Sequence, residues 1–274
     1  MTPPALPSFA MSPTLPLPVV AFVLGGWDLG ISGDLLLQGV IFAQFAHYTT
    51  RYKRDIPLLR AFVWGLLFLT TLKSAQGLGI LWSQNVQHFT DVEGAADLFF
   101  MTWFLQLNVS FVAVIVFYVQ MFFCYRLWAI SKKFLLVAFI LVLFVFALLS
   151  AIVSSVFTFT KDHLQNDRWI SIHLGTVVAG DLLLCGSTTY FLIQHLKETS
   201  LPETAGMFRA LLKLTIQSTA PAAICAFLNL IATQLPTASD PLNAWTMVAI
   251  MTNGWLPKLY AFSAMWTLNT RREI

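Results

Sequence analysis

Long apolar runs alternate with short polar segments along the whole 274-residue chain. A helix needs about 20 consecutive apolar residues to cross a hydrocarbon core. Runs of that length lie at residues 22–48, 58–82, 98–128, 134–159, 170–193, 210–233 and 244–268. The run at 134–159 contains no charged residue. The intervening segments, 51–57, 83–97, 131–133, 160–167, 194–207 and 234–243, hold the turn and charge signals. The pattern therefore predicts an all-α, polytopic integral membrane protein, a bundle of seven transmembrane helices. The connections are short and no internal repeat is visible, so one helical domain is expected over 21–270. Prolines at 3, 4, 7, 13, 16 and 18, with no basic residue ahead of the first run, read as a disordered tail over 1–20. Residues 271–274 read as a short cytoplasmic end.

Composition closes the soluble alternatives. Charged residues make up 11% of the chain, against about 25% in soluble domains. Hydrophobic residues reach 57%, with 24 Phe and 9 Trp, and the mean hydropathy is +0.73. So few charges cannot cover the surface of a soluble globule. A cytosolic enzyme, a disordered chain and a secreted disulfide scaffold are excluded. Cys124, Cys185 and Cys225 all fall inside apolar runs and read as small hydrophobes. The net charge of +3 is spread over several loops, so no nucleic-acid partner is expected. The expected partner is the lipid bilayer, with a small ligand or solute as a further candidate.

Charge placement sets the orientation. Arg51, Lys53, Arg54, Arg60, Arg126, Lys132, Lys133, Lys197, Arg209, Lys213, Arg271 and Arg272 all fall on one side of the alternating spans. Only Lys161 and Arg168 fall in loops on the other. An excess of lysine and arginine marks the cytoplasmic side. The N-terminus is then outside and the C-terminus cytoplasmic, as an odd number of spans requires. Trp27, Trp82, Trp103, Trp169 and Trp245 near outer ends, and Trp128 and Trp266 near inner ends, match the interfacial preference of indole. Asp28, beside Trp27, is expected at the outer interface.

Four charges lie inside spans: Asp34, Lys73, Asp181 and Lys258. Such charges face the bundle interior and pair. At about 1.5 Å rise per residue, Asp34, Lys73 and Asp181 come out roughly 20 Å from the cytoplasmic ends and Lys258 roughly 15 Å. Matching depth pairs Asp34 with Lys73 and, as the preferred assignment, Asp181 with Lys258; a swap in which Asp34 or Asn253 takes one partner is the alternative. Gln38, Gln76, Gln106, Asn108, Gln120, His173, Gln217, Asn229 and Asn253 add uncharged polarity, as interhelical glue or as the lining of a ligand cavity. Gly26 with Gly30, and Gly175 with Ala179, have the small-xxx-small spacing of close helix packing. At the cytoplasmic end, Arg126 is expected to hold a neighbouring helix end, with Asn269 in the partner region.

No catalytic constellation is present. The histidines are scattered without metal-ligand spacing, and neither a nucleophile elbow nor a P-loop occurs. No enzyme activity, metal or cofactor is therefore expected. Cys124-Tyr125-Arg126 and Pro257-Lys258-Leu259-Tyr260 match rhodopsin-like receptor motifs only in part. Lys258 lacks the preceding aspartate of microbial retinal proteins.

Longer segments carry a closer likeness. Phe122-Phe123-Cys124-Tyr125-Arg126-Leu127-Trp128-Ala129-Ile130-Ser131, Asp181-Leu182-Leu183 leading to Tyr190-Phe191, Arg209 with Thr215-Ile216-Gln217-Ser218-Thr219, and Lys258-Leu259-Tyr260-Ala261-Phe262-Ser263 through Leu268-Asn269-Thr270-Arg271 are its main parts. Together they resemble DUF6534, a fungal, basidiomycete family of seven-span membrane proteins, over residues 21–272. Phe262 and Gln217 stand where that family has Asn. The resemblance implies the architecture, and an importance for Arg126, Asp181, Lys258 and Asn269; it implies no activity. Three functions follow as expectations: a receptor-like or sensory protein with a polar pocket in its outer half, a small-solute transporter or channel, and a structural membrane protein without ligand.

Overall fold

The computed structural model describes residues 17–53, 55–89, 91, 94–95, 98, 102–198, 220–235 and 244–270. Among them there is no strand. The long helices are α1 (Leu17–Arg51), α2 (Pro57–Trp82), α3 (Asn108–Ser131), α4 (Phe134–Phe159), α5 (His163–Glu198), α6 (Ala220–Gln234) and α7 (Ala244–Asn269). A π-helical turn, Ser83–Gln87, extends α2, and a short helix, Trp103–Gln106, leads into α3. Among the described residues, five helical stretches are long and apolar enough to cross a membrane: Ala21–Arg51, Pro57–Gln87, Trp103–Ser131, Phe134–Phe159 and Leu164–Lys197. The chain is a multi-pass membrane protein.

Element boundaries differ from the sequence pattern in instructive places. α1 begins at Leu17, inside the stretch expected as a disordered tail. α5 extends beyond its apolar run at both ends, because polar residues outside the hydrocarbon layer continue the helix. The third run breaks at Leu107, so its continuous helix starts at Asn108. Arg54, Arg209, Lys213, Gln217, Arg271 and Arg272 lie outside the described residues.

α7 sits at the centre. It packs against α1, α3 and α2, while α4 closes on α5 and α3. The α1–α7 crossing is made by glycine. A Cβ on Gly254 would stand 3.3 Å from the backbone of Gly30, and one on Gly26 would stand 3.2 Å from the Cα of Met247. A Cβ on Gly33 would collide with the Trp255 indole. Gly26 and Gly30 thus form the expected seam. Gly175 does not: a Cβ there meets nothing within 4 Å, and Ala179 is exposed. In α5 it is Gly180 that receives a neighbour, the ring of Phe144.

The core runs through all seven helices, with Ile41, Leu66, Leu127, Phe144, Leu184, Ala226 and Met265 among its buried residues. The outer faces are apolar too, including Leu36, Phe68, Leu135 and Val142. In lipid such exposure is favourable, and polarity moves inside. Helix α7 follows this inversion: its polar residues Lys258, Ser263, Thr267 and Asn269 are all buried.

Candidate functional site

Lys258 lies on the face of α7 that meets α1 and α2, and its ammonium is fully buried. Nζ donates to Gln38 Oε1 at 2.6 Å, to the Thr70 carbonyl at 2.5 Å and to Ser74 Oγ at 2.8 Å. Asp34 Oδ1 stands 3.5 Å away. Ser74 in turn donates to Asp34 Oδ2 at 2.6 Å. Lysine has three N–H donors, so all three are used. Gln38 also donates to Thr71 Oγ1 at 3.1 Å, tying α1 to α2 a second time.

This corrects the preferred pairing of Asp181 with Lys258; the swap to Asp34 is what the fold adopts. Two features explain it. The helices cross in parallel where Gly30 meets Gly254, so four residues further on Asp34 stands level with Lys258. Two residues also turn a helix by roughly 200°. Lys258 and Tyr260 therefore point to opposite sides, and it is Tyr260 that faces Asp181.

Asp181, on α5, accepts a hydrogen bond from Gln120 Nε2 of α3 at 3.0 Å and one from the Tyr260 hydroxyl of α7. Beside this cluster lies a cavity of about 480 Å³ between α3, α5, α6 and α7. Its wall is mostly apolar, with Phe123, Val178, Leu184 and Ala222 prominent. Asp181, Tyr260, Thr188, Ser263 and Arg126 supply the polar positions. Leu182, Ile224, Phe227 and Leu228 line it and are also exposed on the bundle exterior, so the cavity borders lipid.

Arg126 lines this cavity, while Asn269 is fastened to α1. Asn269 Nδ2 donates to Gln44 Oε1 at 2.5 Å and to the Gln44 carbonyl at 3.0 Å. The Tyr52 hydroxyl donates to the Asn269 carbonyl at 2.8 Å. The end of α7 is thereby fastened to α1. Eleven residues make three turns, so Asn269 shares the α1-facing stripe with Lys258, while Arg126 lies across α7 on the side of Tyr260.

Lys73 is buried and lines a second, small cavity with Asp34 and Asn108, but it makes no direct ion pair with Asp34 among the described residues. Other intramembrane polar groups act as glue. His173 Nδ1 lies 2.8 Å from the Ala147 carbonyl, Ser110 Oγ 2.7 Å from Ser155 Oγ, and Gln76 donates to the Phe104 carbonyl at 2.5 Å. Asp28 accepts from Asn85 at 3.1 Å at the end opposite Asn269. Tyr260, Ser74 and Gln44 are partners that sequence reasoning missed; Gln38 stood among the expected polar residues, but not as a partner of Lys258. The 11-residue interval between Lys258 and Asn269 was the available signal for which face of α7 meets α1. No group of His, Cys, Asp and Glu able to hold a metal occurs among the described residues.

No curated protein and no solved structure matches the chain. Residues 177–273 match the sequence model of DUF6534, described as a family of unknown function. The match takes in Asp181, Lys258, Tyr260 and Asn269, while Asp34, Lys73, Gln120 and Arg126 lie outside it; the likeness read over 21–272 is thus matched in its C-terminal part.

Proposed function

We propose that this chain is a seven-helix membrane protein of fungal type, with its N-terminus outside and its C-terminus cytoplasmic. On this reading it acts as a receptor-like sensor of a membrane-borne amphiphile and not as an enzyme. Five spans stand on length and composition. α7 has 26 residues, roughly 39 Å of helix, more than a hydrocarbon core requires. Its low apolar content reflects polar residues turned inward. α6, Ala220–Gln234, overlaps the second half of the apolar run 210–233. Arg51, Lys53, Arg60, Arg126, Lys132, Lys133 and Lys197 belong to the helix ends that Tyr52–Asn269 and His195–Ile130 contacts bring together, which supports assigning that end to the cytoplasm.

The observation that carries the sensory reading is the cavity of about 480 Å³, within the 300–1,000 Å³ range of ligand pockets. An apolar wall with a few convergent polar groups suits an amphiphile, its body among Val178, Leu184 and Phe227 and its polar end at Asp181, Tyr260 and Arg126. Entry is from the bilayer, through the lipid-facing side chains at the rim. The expectation of an outer-half pocket changes accordingly: the cavity extends from Asp181 toward Arg126, the basic end. Transport is the less favoured alternative. The Lys258 and Asp181 clusters lie on opposite faces of α7, and apolar Ile41, Val63, Leu66 and Met265 separate Lys258 from the Asn269 end. That interrupts a polar path.

The test is to purify wild-type and Ala223→Trp proteins from the same membranes and quantify co-purifying amphiphiles by mass spectrometry. The wild type is expected to retain a near-stoichiometric species that the filled cavity loses. Identical profiles would remove the cavity from the reading.

A further inference from the structure

The small cavity beside the Lys258 cluster is a site of a different kind. It measures about 10 Å³ and is lined by Trp27, Ile31, Asp34, Lys73, Asn108 and Ile250, with glycines completing the wall. Asp34, Lys73 and Asn108 are each no more than 5% exposed. Asp34 Oδ1 and Asn108 Oδ1 are buried and receive no hydrogen bond. For Asp34 the reason is on the page: Lys258 spends its three N–H bonds on Gln38, Thr70 and Ser74, and Ser74 occupies only Oδ2. Lys73 brings an ammonium to the same space and has no protein acceptor among the described residues.

We infer that a single water molecule binds here and bridges Asp34, Lys73 and Asn108, joining α1, α2 and α3. The volume is that of about one water. The water's own valences and the two unpaired oxygens are satisfied together. The water donates its two hydrogens to Asp34 Oδ1 and Asn108 Oδ1 and accepts one N–H from Lys73. Other occupants fit less well. An anion would face two acceptor oxygens, a metal cation would face the Lys73 ammonium, and an apolar group would leave both buried oxygens unsatisfied. Asp34 and Lys73, matched in depth by sequence, thus form a water-separated pair, while Lys258 takes the direct contact.

The experiment uses the full chain in lipid nanodiscs. A wild-type density map that resolves ordered water should show one peak at about 3 Å from all three side chains. Lys73 in direct contact with Asp34, and no peak, would overturn the proposal. Thermal unfolding gives a second reading. Lys73→Met and Asn108→Leu should each lower Tm by roughly 5 °C, and the double variant should lose clearly less than the sum, because either change dismantles the same bridge. Additive losses would refute it. Wild-type Tm should be equal in chloride and gluconate buffers. A chloride-dependent Tm that Lys73→Met abolishes would make the guest an anion and defeat the assignment.

Discussion

The two faces of α7 meet acids in contrasting settings, a buried Asp34 on one side and a half-buried Asp181 on the other. On the α1 side, Asp34 and Lys258 sit in a closed cluster, with four protein oxygens around one ammonium and a glycine seam drawing the helices together. On the α3–α5 side, Asp181 has two neutral donors, Gln120 and Tyr260, and borders a wide, lipid-facing cavity. The first arrangement uses charge to lock helices at one distance. The second holds a carboxylate beside open space, where a guest has room. The same residue type therefore serves cohesion on one face and recognition on the other, and what separates them is how closely the neighbouring helices approach.

The comparison breaks most visibly at Lys258. Lys258→Met leaves Asp34 buried beside an apolar side chain and should cost about 3–5 kcal/mol, the penalty for breaking a buried pair. Combining it with Asp34→Asn should recover part of that loss. Combining it with Asp181→Asn should give additive losses, within about 0.5 kcal/mol, because the two clusters share no partner. Reversible unfolding in mixed micelles measures all of these, and strong coupling of Lys258 to Asp181 would merge the two regions into one.

A smaller effect probes why the α1 side is closed. Gly254→Val puts methyl groups against the Gly30 backbone and should destabilise by about 1–3 kcal/mol through overpacking. Gly39→Ala is the control, since a Cβ there meets nothing within 4 Å. It should be neutral or slightly stabilising, because alanine favours a helix interior by about 1 kcal/mol over glycine. Equal losses at both positions would deny the seam its role.

The mildest change sharpens the other face. Tyr260→Phe removes one hydrogen bond to Asp181 while keeping the ring, and should cost about 1–2 kcal/mol, as interhelical hydrogen bonds in membranes do. Because the cavity wall loses only a hydroxyl, amphiphile retention should weaken less than in Ala223→Trp. A Tyr260→Phe protein as unstable as Lys258→Met would show that Asp181 is also a locking residue.

The amino-acid pattern by itself determined that the chain is helical and membrane-embedded. Hydrocarbon imposes a length and a polarity on any span, and both are local properties of sequence. The run at 134–159 and the helix Phe134–Phe159 coincide for that reason. It also determined that Asp34, Lys73, Asp181 and Lys258 would be unusual, since charge inside a span is visible without any fold. Their partners were decided only by the tertiary structure. Depth estimated along the sequence favoured Asp181 for Lys258; helix rotation decided otherwise, turning Lys258 to α1 and Tyr260 to Asp181. The glycine motifs divide in the same way. Gly26–Gly30 and Gly175–Ala179 have one spacing, yet only the first meets another helix closely, because α7 crosses α1 at Gly254 and no helix comes as close at Gly175 among the described residues. The cavity near Asp181 was likewise illegible, because empty space between helices arises from how they are arranged and leaves no residue of its own in the sequence.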